Sequence, residues 1–314
     1  VSIDRRLLHP RNWSQWLTIG LLYLGGLLPW ALQRILARAG GDLMYLLARF
    51  RRQVAFVNIG LCFPELTPSR QRRLVRDIFA SHVMGLLETT LAWWSDERRL
   101  RPRMQANGFE KLRAHQQTGA GAIVIGCHFT TLDLAGRLFL FNADTDVVYR
   151  QQKYPVYDLF MRRNRERLFK HAIERSDMRQ LIRNIRNGGT VWYAPDQDYG
   201  KKGAVFVPFF GVPAATLTAT SRLAKMTGAA VFFCTHYRLP GNRYEINIEG
   251  PFANFPSDDD IADARFVNQL IEQAVRRAPE QYMWLHKRFK SRPDNEAGLY
   301  PKRTRKRKRT RELR

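Results

Sequence analysis

"GAIVIGCHFTTLDLAG", residues 121–136, decides the fold. Its first half carries the short apolar run Ala122 to Ile125, bounded by glycines, which reads as a buried β-strand. Its second half changes to helical texture, predicting a helix over 131–141. Strand, turn and helix follow one another within twenty residues, and His128 sits in the turn between them.

The same texture recurs outward from this stretch. "TDVVYR" (145–150), "GTVWYAP" (189–195) and "AAVFFCTHY" (229–237) predict further strands, with helices over 155–169, 177–187 and 216–227 between them. "RYEINIEGPF" (243–252) adds an alternating strand, and a last helix is predicted over 260–277. Strand then helix, repeated, predicts an α/β sandwich with a largely parallel central sheet. Upstream, residues 36–52 resemble a basic amphipathic helix, and Gln71 to Trp94 reads as one or two amphipathic helices after the breakers Pro64 and Pro68.

Asn12 to Gln33 carries no charged residue. A membrane span needs about 20 predominantly apolar residues, so the expectation is an N-terminal membrane-anchoring helix. Trp13, Trp16 and Trp30 stand near its ends, where aromatic rings favour the interface. Gly25, Gly26 and Pro29 weaken a straight helix and leave a span and a monotopic anchor both open. The excess of arginine after the run predicts a catalytic body on the cytoplasmic face of the inner membrane. A secretory signal is disfavoured, because no small-x-small cleavage site follows. The organisation expected is an anchor over 1–35, a catalytic domain over 36–293 and a basic, disordered tail over 294–314.

The 314 residues hold 52 Lys and Arg against 28 Asp and Glu, a net charge of +24. Such a field gathers anionic partners without choosing among nucleic acid, anionic lipid and phosphorylated substrate. The tail "KRTRKRKRTRELR" (302–314) favours anionic leaflet lipid if the other end of the chain is anchored in a membrane. Cys62, Cys127 and Cys234 form neither a zinc spacing nor a disulfide framework, which points to a reducing compartment.

Ligands of an open α/β sheet bind beyond the carboxyl ends of its strands. The polar residues there are Cys127 and His128, then Arg150, then Asp196, Gln197 and Asp198. A neutral imidazole steadied by a carboxylate can take a proton from a hydroxyl near neutral pH, and Asp133 lies close enough in sequence to steady His128. Thr130-x-x-Asp133 matches a capping box equally well, in which the aspartate only ties down a helix start. Cys127 beside His128 also raises covalent catalysis by a thiol, against a plain buried side chain. Asp196-x-Asp198 has the outline of a hard-cation site, with structural roles the alternative.

Five ordered blocks carry a resemblance: "NIGLCFPEL" (58–66), "CHFTTLDLAGRLF" (127–139), "VVYRQQKYPVYD" (147–158), "GTVWYAPDQDYGKKGAVFVPFFG" (189–211) and "APEQYMWLHKRFKSRP" (278–293). From about residue 10 to residue 293 the chain resembles the late acyltransferases of lipid A biosynthesis, the lauroyl, palmitoleoyl and myristoyl transferases. These are a branch of the H-x4-D/E acyltransferases. Cys127 stands where that family often has Asn, and Asp133 where it often has Glu.

The resemblance implies a glycerolipid-acyltransferase-like fold that transfers a fatty acyl chain from acyl carrier protein to a 3-hydroxyacyl hydroxyl on a Kdo-bearing lipid A precursor. It implies His128 as general base with Asp133 orienting it, and substrate binding by Arg150, Lys153, Asp196 and Arg288. Neither a cofactor nor a metal is expected. The partners expected are acyl carrier protein, the lipid A precursor and anionic inner-membrane lipids, and no nucleic acid. Phe206, Phe209 and Phe210 are candidate walls of an acyl channel, or plain core. The cluster His286, Lys287, Arg288, Lys290 and Arg292 is a candidate phosphate or leaflet contact, or a solvated face. The rivals are an acyltransferase acting on another glycolipid, and a membrane-tethered basic protein that binds nucleic acid.

Overall fold

In a computed structural model of the chain, which describes residues 5–294 and 296–302, four helices come first. They are α1 (Trp13–Leu27), α2 (Trp30–Leu47), α3 (Arg49–Cys62) and α4 (Pro68–Trp94), followed by the short α5 (Glu97–Leu100). Then come β1 (Met104–Asn107), α6 (Phe109–Gln117), β2 (Ala122–Ile125), α7 (Leu132–Phe139), β3 (Asp146–Tyr149) and α8 (Pro155–Leu168). β4 (Ala172–Glu174), α9 (Met178–Arg186), β5 (Thr190–Tyr193), β6 (Ala204–Phe209), β7 (Val212–Leu217) and α10 (Ala219–Thr227) follow. β8 (Ala230–Leu239), β9 (Arg243–Glu249) and α11 (Asp260–Arg277) end the series.

Seven strands form one sheet in the order β1-β9-β8-β2-β5-β3-β4. Strands β8, β2, β5, β3 and β4 are parallel, while β9 runs antiparallel to β8 and carries β1 parallel to itself. The α/β sandwich with a largely parallel sheet is therefore the fold. Helices cover both faces, which is why β2 is wholly apolar and wholly buried. Ile123 and Ile125 point into one core with α3, α10 and α11, and Ala122 and Val124 into another with α4, α6 and α7.

The polar strand β1 and the three-residue β4 add to the predicted set, as does the separate β6–β7 hairpin. The hairpin closes through Phe210 and Gly211, both at positive φ, as a two-residue turn of the primed type requires. It takes over the first residues of the helix predicted from 216, which begins instead at Ala219.

The expectation of a membrane-spanning helix is corrected. Among the described residues no helix is long and apolar enough to cross a membrane. The charge-free run breaks at Leu28-Pro29, leaving α1 with 15 residues, about 22 Å at 1.5 Å per residue. Gly25 and Gly26 are not weaknesses but the contact by which α1 lies against α4. A methyl group at either would fall 2.8 Å from Leu87 or 2.1 Å from Thr90. The opposite side of α1 and α2 is an exposed apolar stripe that includes Trp13, Leu17, Leu21, Leu24, Ile35 and Leu36. The expected tail from 294 is described only to residue 302, so residues 303–314 lie outside the described residues, as do residues 1–4 of the expected anchor.

Candidate active site

The parallel register brings three chain segments to one point. Ile125 of β2 pairs with Tyr193 of β5 and Phe233 of β8, so the residues three beyond each pair stand side by side: His128, Asp196 and His236. Asp196 accepts from His128 twice, at 2.8 Å from its backbone N–H to Oδ2 and at 2.5 Å between Nδ1 and Oδ1. The imidazole is thereby fixed with Nδ1 on the carboxylate, and Nε2 is the ring nitrogen outside that pair.

The surrounding turn is over-determined. Met283 donates to the carbonyl of His128 at 3.0 Å, Thr130 donates to that of Gln281 at 2.7 Å, and Phe129 bridges to Tyr282. Gly85 of α4 lets that helix lie against Thr130, since a methyl there would fall 2.4 Å from the Thr130 carbonyl oxygen. Gly126 does the same for Trp192, whose ring would sit 2.4 Å from an added methyl.

Burial works against charging His128, and the charge and hydrogen bond of Asp196 outweigh it, so the histidine pKa is raised. Burial likewise opposes ionisation of Asp196, but His128 and its two hydrogen bonds hold the carboxyl below the usual range. The pair is poised as a carboxylate with an imidazole of raised basicity. His236 is different: burial pushes its pKa down to about 4, and its Nδ1 lies 2.7 Å from the Thr131 hydroxyl.

His128 opens on a cavity of about 680 Å³. Its lining comes from both sides of the sheet, because the strand neighbours Val147 and Val148, and Trp192 and Tyr193, all contribute. One limb is lined by Ala92 and Trp93 of α4, residues of α7 that include Gly136, and Asn164, Arg165 and Leu168 of α8. The other reaches Met178, Leu181 and Leu223 of α9 and α10. Arg150, Gln152 and Arg175 also line the cavity.

The partner of His128 is thus Asp196 rather than Asp133, and the expected orienting contact is corrected. Asp133 points into the same cavity but accepts from the Thr89 hydroxyl at 3.0 Å and faces Arg165 at 3.8 Å. Helix α7 begins at Leu132, one residue later than a start that would leave Thr130 as cap. Thr130 instead meets Ser81 at 2.8 Å and Arg238 at 3.4 Å, so the capping box does not form.

Of the residues expected to bind substrate, Arg150 is exposed and lines the cavity. Asp196 does not face substrate, being 2% exposed beneath the histidine. Lys153 is exposed outside the cavity lining. Arg288 is corrected: it is 2% exposed, stacks on Phe209, and donates to the Ala215 carbonyl, Thr216 and Asn268. His286, Lys287 and Arg292 fold inward too, while Lys290 stays exposed beside Asp198. His286 accepts from the Asp198 N–H, Lys287 lies over the rings of Phe50 and Tyr300, and Arg292 donates to the Pro213 carbonyl.

Phe209 and Phe210 are core, packed with Tyr282 and Trp284, and none of the three candidate phenylalanines lines the cavity. Cys127 is fully buried in the core that holds Ile123 and Ile125, with its thiol pKa pushed up by burial. Asp198 accepts from Gly200 and Ser291, clamping two chain segments together. Among the described residues no group of three or more His, Cys, Asp or Glu is placed to hold a metal ion.

Arg165 escaped the sequence reading. It lies in "RRNRERL", where nothing local separates it from its basic neighbours, yet it lines the cavity and pairs with Asp133 at 3.8 Å.

Residues 2–291 match the family described as bacterial lipid A biosynthesis acyltransferase. The lipid A biosynthesis lauroyltransferase of Escherichia coli (strain K12) is 39% identical over 94% of this chain and 97% of its own. The palmitoleoyltransferase of the same organism is 35% identical over 95% and 98%, and its myristoyltransferase 28% over 95% and 94%.

Proposed function

From the premise that the chain belongs to the bacterial lipid A biosynthesis acyltransferase family, we propose that it moves a fatty acyl chain from an acyl carrier protein thioester to a hydroxyl of a 3-hydroxyacyl chain on a Kdo-bearing lipid A precursor. That it is an acyltransferase of lipid A biosynthesis follows from the family; donor, acceptor hydroxyl and residue roles are the proposal.

The observation that carries it is the His128–Asp196 pair at 2.5 Å beside a mainly apolar cavity. Nε2 of His128 takes the proton of the acceptor hydroxyl, whose oxygen attacks the thioester carbonyl carbon. The imidazolium that forms is stabilised by Asp196. Collapse of the tetrahedral intermediate breaks the carbon–sulfur bond, and the proton passes from His128 to the leaving thiolate. Neither a metal nor a cofactor is part of this scheme. Arg150 and Arg175, at the cavity, suit phosphate oxygens of an anionic substrate.

The exposed apolar stripe of α1 and α2, with Arg34, Arg38 and Arg49 among its neighbours, suits an interfacial attachment to anionic lipid on the cytoplasmic face of the inner membrane. The deciding experiment incubates purified protein with acyl carrier protein thioesters and the tetra-acylated Kdo-bearing precursor, then weighs the lipid by mass spectrometry. One added acyl chain is expected; an unchanged acceptor mass with every donor defeats the proposal.

A further inference from the structure

Gly136 has no explanation in the fold itself. It lies inside α7 at ordinary helical φ, where glycine weakens a helix relative to alanine. Gly25, Gly26, Gly41 and Gly85 are each required by a neighbour that a methyl group would strike at under 3 Å. At Gly136 the nearest atom to such a methyl is Cζ of Phe169, 3.4 Å away, and within 4 Å there is nothing else. What the missing side chain preserves is space, and the space is the cavity that His128 opens on.

The position of that space is ordered. Along α7 the cavity meets Leu132, Asp133, Ala135, Gly136 and Phe139, of which Asp133, Gly136 and Phe139 follow one another at about 5 Å along the helix. α7 leads away from the turn that carries His128, so each of these residues stands farther along the helix from the histidine. The half-buried Phe169, just past α8, stands opposite Gly136, and the buried rings of Trp93 and Phe139 line the same limb. A mainly apolar limb walled by α4, α7 and α8 suits an unbranched acyl chain.

We propose that Gly136, with Phe169 opposite, sets the length of the acyl chain the enzyme transfers. The chain lies in this limb with its carbonyl carbon at His128, and the atoms at position 136 determine how many methylenes pass. This inference rests on the acyl-transfer reading above. It assigns the α7–α8 limb to the donor chain and leaves the limb toward α9 and α10 for other parts of the substrates.

The test is a competition among saturated acyl carrier protein thioesters of graded length at limiting enzyme, read as the mass distribution of the acylated precursor. Gly136→Leu is expected to shift the distribution to chains shorter by about two carbons. Its kcat/KM for the chain the wild type prefers should fall by about 10–200-fold, the range over which pockets discriminate by single methylenes. Phe169→Ala is expected to move the distribution the other way. Gly136→Ala, whose methyl meets only Phe169, gives a smaller shift in the Leu direction and carries the test if Gly136→Leu does not fold. Wild-type length profiles in the folded variants would overturn the inference alone. So would a raised KM for the precursor with the donor profile unmoved, which would give the limb to the acceptor. Absence of transfer by the wild type from every donor would overturn the acyl-transfer reading, and the inference with it.

Discussion

Replacing Asp196 by asparagine removes the charge beneath His128 while keeping the shape of a residue that is 2% exposed. The carboxylate accepts from Nδ1 at 2.5 Å and from the backbone N–H at 2.8 Å. A hydrogen bond to a charged group contributes about 1.5–3 kcal/mol, which at about 1.36 kcal/mol per decade corresponds to roughly 10–100-fold in kcat. An asparagine NH₂ turned to Nδ1 would also put the ring proton on Nε2, the wrong tautomer for a base. The loss then approaches the full worth of general-base catalysis, about 10²–10⁴-fold.

The pH dependence separates this from simple damage. His128 acts when neutral and its pKa is raised above the usual 6.5, so the wild-type rate climbs with pH through that raised value. In Asp196→Asn the climb moves to lower pH. Stability has the opposite sense. The raised histidine contributes below its unfolded pKa and loses this as pH rises through the folded one. The depressed aspartate contributes above its unfolded pKa and loses this as pH falls through the folded one. The variant's deficit in Tm is therefore largest between the carboxylate range and the ordinary histidine value of about 6.5, and shrinks as pH rises toward the raised value. Initial rates of acyl transfer across pH, with melting curves in the same buffers, measure both. Activity within about threefold of wild type, under about 0.7 kcal/mol, together with loss in Asp133→Asn, would refute the assignment of Asp196 as the partner of His128.

Cys127→Ala should keep transfer within about threefold while lowering stability by about 1 kcal/mol, because the thiol is core rather than nucleophile; a natively folded but inactive variant would restore the acyl-enzyme route. Gly126→Ala forces the Trp192 ring aside, and overpacking of this kind costs about 1–3 kcal/mol, to be read as a fall in Tm. Glutamate at both Leu17 and Leu21 should abolish flotation with vesicles of phosphatidylglycerol and phosphatidylethanolamine while barely moving Tm, since both side chains are exposed; undiminished flotation would remove the stripe from the membrane contact.

The alternation of strand and helix from 121 to 277 was legible because each strand is an apolar run and each helix an amphipathic one. Strands β1 and β4 were not, being polar or only three residues long and stabilised by pairing partners far along the chain. Pro208 and Pro213 hid the hairpin, although Phe210-Gly211 marks its turn. The charge-free N-terminal run read as a span because composition weighs a window of residues, whereas Pro29 divides it and two glycines press it onto α4.

His128 was legible from its place at a strand end. Its partner was not, because Asp133 is near in sequence while Asp196 is 68 residues away. The strand register supplies the missing link: both residues stand three past the paired ends of β2 and β5. Arg288 shows the opposite failure. A run of basic residues looks like surface, and only packing reveals a guanidinium satisfied by Ala215, Thr216 and Asn268.

The most direct test of the central claim, that His128 is the base of an acyl transfer, is the single-turnover rate of acyl addition to the precursor by wild-type protein and His128→Ala, each verified as folded. The account predicts a loss of at least about 10²-fold in the variant, with the acyl carrier protein thioester left unconsumed. Transfer by a folded His128→Ala at close to the wild-type rate would contradict it.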